Sequence, residues 1–193
     1  MGVLFAIGSF CFALGSAPLY FDHIDAEGVA STFFVGSIFF TSAAIVQFRV
    51  AGLPRGVDWW AAAVQLLGTV FFNISTFAAT LDSLDLEEEV RLIWAPDVYG
   101  SICFLVASGL AYSLVSPRFW RRPGPDLAWG INALNLLGSI AFGVAAVAAR
   151  YLSTTGEPAN IRLVNLGTFA GAVCFFAGAV LLPVESAREN NPR

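Results

Sequence analysis

The chain alternates long apolar stretches with short polar connections, and this pattern occurs six times. Each stretch has the roughly 17 to 25 residues that an α-helix needs to cross about 30 Å of hydrocarbon. The predicted spans are 3–21, 29–48, 59–81, 95–116, 127–149 and 161–183. Backbone polar groups in lipid must hydrogen-bond within the protein, so the pattern predicts an all-α, polytopic membrane protein with six transmembrane helices.

A short motif recurs near the middle of every predicted span: Gly, Ser or Thr, two variable residues and Phe. The copies begin at Gly8, Gly36, Gly68, Gly100, Gly138 and Gly171, and the last has Ala in place of the hydroxyl residue. Recurrence at a spacing of about thirty residues indicates internal duplication. Small residues let membrane helices approach closely, and a Phe four residues later shares their face. We therefore expect these glycines to be helix-packing positions, with a ligand-binding role as the less favoured alternative.

Prolines in the connections after the second and fourth spans divide the chain into three helical hairpins. The hairpins are 1–50, 56–116 and 124–185. The last two align in register, because Trp59 and Trp129 each precede a motif glycine by nine residues. Three related hairpins of one orientation predict parallel repeats around a pseudo-threefold axis along the membrane normal. We expect one transmembrane domain over 1–185 and a short polar tail over 186–193.

Arginines distinguish the connections at the two ends of the predicted bundle. They occupy the connections after the second and fourth spans, at Arg49, Arg55, Arg118, Arg121 and Arg122. The connections after the first and third spans are instead acidic, over 22–27 and 82–89. Positive residues concentrate on the cytoplasmic side of membrane proteins, so we expect both termini to be cytoplasmic.

Composition and charge agree with a membrane location and restrict the partners. Of 193 residues, 57% are hydrophobic and 12% charged, too apolar for a water-soluble core. The net charge is −4, and all ten basic residues are arginines scattered along the chain. Without a basic tract to hold phosphates, nucleic acid is excluded as a partner. The expected partner is the lipid bilayer, with a homo-oligomer or another membrane protein as a further possibility.

Polar side chains interrupt the third, fifth and sixth spans. In the third span they recur at helical intervals that place them on one face. The candidate residues are Gln65, Thr69, Asn73, Thr76, Asn132, Asn135 and Asn165. An amide within a membrane span must find a partner, although one interhelical hydrogen bond is worth only about 0.6 to 2 kcal/mol. Two interpretations remain: dry interhelical hydrogen bonds, which we favour, or the wall of a polar solute path.

No arrangement typical of a catalytic or metal site occurs in the sequence. His23 is the only histidine, and Cys11, Cys103 and Cys174 lie within predicted spans. Small buried thiols explain these cysteines better than soft-metal binding does. We therefore expect a protein that is not an enzyme, with no cofactor and no metal. The acidic run 82–89 is interpreted as a solvated loop, with attraction of cations to a pore mouth as the alternative.

Two segments resemble a known family. Phe34–Ala44 (FVGSIFFTSAA) and Asn135–Phe142 (NLLGSIAF) resemble the YrhK-like family of small bacterial membrane proteins, whose signature is a Gly-Ser-x-x-Phe helix arranged in hairpins. The resemblance implies a multi-pass protein of the bacterial cytoplasmic (inner) membrane with no assigned biochemical role, and it transfers no site residues. Our leading functional hypothesis is a non-enzymatic protein that assembles with itself or a membrane complex through its glycine-bearing helix faces. The alternative is a small channel or transporter with a polar path along the third, fifth and sixth spans.

Overall fold

The structure, a computed structural model, describes residues 1–51, 56–116, 126–152 and 154–189. The prolines and arginines of 52–55 and 117–125 and the last residues of the tail lie outside this part. The helices are α1 Gly2–Gly15, α2 Pro18–Phe21, α3 Ala26–Val50, α4 Val57–Ala78, α5 Leu86–Glu89, α6 Ala95–Val115, α7 Leu127–Ala148 and α8 Ile161–Glu189. The described residues form helices and no named strand, which confirms the all-α prediction.

Within the part of the chain that the structure describes, five helical segments are long and apolar enough to cross a membrane. They are Ala26–Val50, Val57–Ala78, Leu86–Val115, Leu127–Ala148 and Ile161–Ala187, with mean hydropathies of 1.5 to 1.9. Their outward-facing side chains include many exposed Leu, Ile, Val and Phe residues, as a surface in contact with lipid requires. The chain therefore has the helices of a multi-pass membrane protein.

The first predicted span differs from the expected single helix over 3–21. The helix α1 has 14 residues and ends at Gly15, because Pro18 lacks an N–H group and disfavours a helical conformation at Ala17. Ala17 adopts an extended conformation, with φ −81° and ψ 130°. The Ser16 hydroxyl donates to the Phe12 carbonyl at 2.6 Å and closes the end of α1. The structure therefore has five full-length apolar helices and one shorter apolar helix.

The fourth predicted span begins earlier than its expected start at residue 95. Asp85 caps α5: its carboxylate accepts a hydrogen bond from the Glu88 N–H at 2.8 Å, and the Glu88 carboxylate accepts one from the Asp85 N–H at 3.1 Å. This reciprocal capping box is a strong helix-start signal. A π-helical segment, Val90–Trp94, then joins α5 to α6. Part of the acidic run 82–89, which we interpreted as a loop, therefore begins a helix.

The six longer helices form a closed ring in chain order. Along the ring, α1 packs against α3, α3 against α4, α4 against α6, α6 against α7, α7 against α8, and α8 against α1. Met1 and Glu185 both lie at one end of the ring of helices, which we call the terminal end. Phe33 and Tyr151 both lie at the other end, which we call the hairpin end.

Helices that are paired in a hairpin cross at their motif glycines. A Cβ atom on Gly36 would lie 2.8 Å from Cβ of Cys11, and one on Gly138 would lie 3.0 Å from the carbonyl oxygen of Gly171. In the middle hairpin, a Cβ atom on Gly68 would lie 2.8 Å from Cβ of Cys103. Only a residue without a side chain permits these approaches, so the glycines hold the hairpins together within one chain.

The motif phenylalanines meet inside the ring, where each is 2 to 7% exposed. One layer contains Phe12, Phe72 and Phe142, and the other contains Phe40, Phe104 and Phe175. Ring centroids within the first layer are 5.9 to 6.4 Å apart, and those within the second are 5.8 to 6.2 Å apart. The two rings of each hairpin are 5.1 to 5.5 Å apart. We call these six side chains the phenylalanine plug.

Candidate functional site

Two cavities lie inside the ring, on opposite sides of the phenylalanine plug. The terminal cavity has a volume of about 130 Å³, and Phe104 and Phe175 form part of its wall. The hairpin cavity has a volume of about 260 Å³, and Phe12, Phe72 and Phe142 line it. Residues from all six longer helices contribute to each cavity. The plug therefore separates two interior spaces near opposite ends of the bundle.

The terminal cavity contains most of the amides that the sequence singled out. Gln65 of α4 and both Asn132 and Asn135 of α7 line it, together with Gln47 and Glu185. The Asn132 side chain donates to the Ala128 carbonyl at 2.9 Å. Within the described ranges, the amides of Gln65 and Asn135 make no hydrogen bond to protein.

Unpaired amides inside an apolar bundle are costly unless water solvates them. The terminal cavity, at about 130 Å³, has room for several water molecules, each of which occupies roughly 30 Å³ in the liquid. Gln65 and Asn135 therefore face a space large enough for water, in contrast to Asn73, which bonds to the neighbouring helix.

Other members of the polar stripe lie in a different environment. The Ser37 hydroxyl donates to Oδ1 of Asn73 at 2.6 Å, and the Asn73 amide donates to the Thr41 hydroxyl. The Thr76 hydroxyl donates to Ser37 at 2.9 Å. These bonds join α4 to α3, the neighbouring helix of the first hairpin. The Thr69 hydroxyl donates within its own helix, to the Leu66 carbonyl at 2.8 Å, whereas the Thr69 carbonyl accepts from the Thr41 hydroxyl of α3 at 3.5 Å.

The seven predicted polar residues thus divide into three groups. Gln65, Asn132 and Asn135 line the terminal cavity, and Asn73 and Thr69 are packing residues of α4. Thr76 both bonds to α3 and lines the hairpin cavity, where Asn165 of α8 also lies. The single continuous path that the stripe suggested is interrupted by the plug.

A carboxylate, that of Asp97, lines the hairpin cavity. Asp97 of α6 is partly buried, and it has no hydrogen bond or salt bridge within the part of the chain that the structure describes. Ionisable groups inside membrane segments are expensive, and they commonly mark substrate or ion sites. The sequence analysis did not include Asp97 among its candidate residues, although an acidic residue in an apolar span was a usable signal.

The π-helical segment places Asp97 at the cavity. Pro96 cannot donate the hydrogen bond that an α-helix requires at its position. The preceding turn widens, and the Ala95 N–H donates to the Val90 carbonyl five residues earlier. Such π turns occur frequently at functional sites. Trp94 is the last residue of the π turn, and its indole N–H donates to the Ala146 carbonyl of α7 at 3.0 Å. This hydrogen bond holds the indole in place as part of the cavity wall.

Tyr151 closes the hairpin cavity from the connection between α7 and α8. Burial raises the pKa of the Tyr151 phenol, and the adjacent Glu89 carboxylate raises this pKa further by its charge and by a hydrogen bond. The phenol therefore remains a protonated donor at neutral pH. Its partner Glu89 ends α5, so this bond connects the acidic helix start to the cavity rim.

Two of the three cysteines contribute to packing contacts, each within its own hairpin. Cys11 lies against Gly36, and Cys103 lies against Gly68. Among the residues that the structure describes, no three His, Cys, Asp or Glu side chains are grouped so that they could share a metal ion. His23 lies in an exposed turn and contacts the Leu19 carbonyl at 3.1 Å.

Comparisons with known proteins add no relative: no family model, no curated protein and no solved structure matches the chain. The fold itself defines its class, a multi-pass helical membrane protein, and the six longer helices enclose cavities inside a closed ring.

Proposed function

We propose that the protein is a small membrane transport protein that moves a polar or charged solute between the terminal and hairpin cavities. The observation that carries this proposal is the position of two cavities against opposite faces of one phenylalanine plug, one lined by amides and the other containing a carboxylate. An assembly protein needs no unpaired amide or carboxylate inside its ring, whereas a solute path needs such groups. This was the alternative hypothesis from the sequence.

The self-assembly hypothesis loses its main support. It required motif glycines that face another molecule, but Gly36, Gly68 and Gly138 pack against helices of the same chain. The helix faces that carry these glycines are therefore covered by neighbouring helices of the same chain. A homo-oligomer would have to use the lipid-facing sides of the helices.

In this proposal the phenylalanine plug is the closed gate. Hydrophobic constrictions exclude water and ions until their side chains move apart. Each plug ring belongs to one hairpin and contacts rings of the other two. A small rotation of one hairpin relative to the others would therefore separate rings in both layers and join the two cavities, in a movement comparable to the rocking of transporter repeats.

Under this proposal the protein also has the three-hairpin architecture expected from the sequence. The two triangular layers of rings support three related hairpins around a pseudo-threefold axis, with α1 as a short sixth crossing segment. In this arrangement 1–185 is one domain, the terminal end is cytoplasmic, and the protein resides in a bacterial inner membrane. The resemblance to the YrhK-like family supports this location without supplying a substrate.

Side-specific cysteine labelling in oriented membrane vesicles tests the two cavities. Asn135→Cys, in the terminal cavity, and Thr168→Cys, at a residue of α8 that lines the hairpin cavity, would be made separately in a chain whose native cysteines are replaced by Ala. We expect a charged, impermeant thiol reagent to modify Asn135→Cys only from the terminal end and Thr168→Cys only from the hairpin end. Val147→Cys, on a lipid-facing and exposed position, is the unreactive control. If neither cavity cysteine reacts from either side, both cavities are dry and the proposal fails.

A further inference from the structure

We infer that the hairpin cavity binds a small organic cation, with Asp97 as its counter-charge. This inference names the class of solute and thus rests on the proposed transport function. Asp97 has no cationic partner in the described part of the chain, and the arginines of the hairpin end, Arg91, Arg150 and Arg162, are all exposed. A cationic ligand in the cavity would supply the counter-charge that an ionised Asp97 needs.

The wall of the cavity favours an organic cation over a metal ion. Six of its lining residues are aromatic: Phe12, Phe33, Phe72, Trp94, Phe142 and Tyr151. Aromatic rings within about 6 Å stabilise alkylated and protonated amines, and quaternary ammonium groups are the best-known ligands of such cages.

The carboxylates in the cavity are too few for a hard metal ion. Calcium takes roughly six to eight oxygen ligands, and magnesium requires an octahedral set. Among the described residues that line the cavity, Asp97 is the one carboxylate, and no three His, Cys, Asp or Glu side chains of the described chain are grouped so that they could share a metal ion. The other oxygen-bearing side chains in the cavity are neutral, and the Thr76 hydroxyl already bonds to Ser37 and to the Phe72 carbonyl.

The size and location of the cavity restrict the ligand further. A volume of about 260 Å³ lies just below the roughly 300 to 1,000 Å³ of typical ligand pockets, so the ligand has few non-hydrogen atoms. Asp82, Asp85 and Glu87 are exposed at the same end of the bundle. An acidic rim raises the local concentration of cations near an opening.

Ligand-induced stabilisation of the full chain in lipid nanodiscs tests this inference. The probe pair is choline and 3,3-dimethyl-1-butanol, its uncharged analogue of nearly the same shape. We expect choline to raise the melting temperature in a saturable manner and the neutral analogue to have little effect. Calorimetric titration should show that Asp97→Asn binds choline with an affinity lower than that of the wild type by about tenfold or more, since the charged contact is lost. Asp82→Asn, which removes an exposed carboxylate at the same end, is the matched control and should bind like the wild type.

Three results would overturn the inference: equal stabilisation by the neutral analogue, unchanged choline affinity in Asp97→Asn, or stabilisation by sodium or calcium but not by choline. The two-probe comparison on the wild type does not depend on the folding of the variant.

Choline uptake into proteoliposomes separates this inference from the proposed function. Binding without uptake keeps the cation site and removes the transport function, whereas uptake of other solutes without choline binding does the opposite.

Discussion

Gly68 of α4 lies so close to Cys103 of α6 that a methyl group added to the glycine would be 2.8 Å from the cysteine Cβ. The carbonyl oxygen of Gly100 would lie 3.2 Å from the same methyl group. Neither neighbour can rotate away, because one is a Cβ atom and the other is backbone. The two helices of the middle hairpin therefore cross at a distance that only glycine permits.

We expect Gly68→Ala to lower the free energy of unfolding by about 1 to 3 kcal/mol, the usual cost of overpacking. Gly109→Ala is the matched control on α6, because an added Cβ there meets nothing within 4 Å. Alanine also has the higher helix propensity, so this control should be neutral or slightly stabilising. Reversible unfolding of both variants in mixed detergent micelles measures the difference. Equal stabilities would show that the hairpin does not depend on the glycine crossing.

The amides of α4 provide a second contrast, between a bonded and an unbonded side chain. Asn73 bonds to both Ser37 and Thr41, whereas Gln65 faces the terminal cavity without a protein partner. We expect Asn73→Leu to lower the free energy of unfolding by about 0.6 to 2 kcal/mol, the range for polar contacts between membrane helices. Gln65→Leu should leave stability unchanged or increase it, because it removes an unpaired polar group.

The same unfolding measurement distinguishes the two amides. A loss of stability in Gln65→Leu equal to that in Asn73→Leu would contradict the assignment of Gln65 to a hydrated cavity. It would return both residues to a common role in helix packing.

Helical class and most helix positions could be predicted from the sequence, because an apolar helix in lipid is long and its composition is distinctive. The helix over 127–149 was expected almost as it is found, at Leu127–Ala148. The interruption after Gly15 was missed because the apolar residues continue beyond Pro18. The early start at Leu86 was missed because the capping box lies within an acidic run that resembles a loop.

The candidate site was harder to predict, because side-chain environment depends on tertiary packing. Asn73 and Gln65 share a helix face in the sequence pattern, yet one contacts α3 and the other faces the interior of the ring. Two residues eight positions apart on a helix differ by about 80° in direction, since each turn has 3.6 residues. That angle decides which neighbour each residue meets. The aromatic surroundings of Asp97 come from four α-helices, the π-helical segment and the connection between α7 and α8, and they have no local sequence signal.

In our account the phenylalanine plug blocks a path between the two cavities. Substitutions at two adjacent residues of α8 test this block most directly. Phe175 belongs to the plug and is 7% exposed, whereas Phe176 faces outward and is 40% exposed. Proteoliposomes containing Phe175→Ala, Phe176→Ala or the wild type would be compared for water and choline permeability by stopped-flow light scattering. Phe175→Leu, which removes less volume, is included in case the Ala variant is too unstable.

We expect Phe175→Ala to raise permeability several-fold above the wild type, with Phe175→Leu between them, because removing one ring opens a gap in the second layer. Phe176→Ala should match the wild type, since its ring contacts lipid. Equal permeability of folded Phe175→Ala and Phe176→Ala would contradict a gated path and would leave the six rings as a packing core alone.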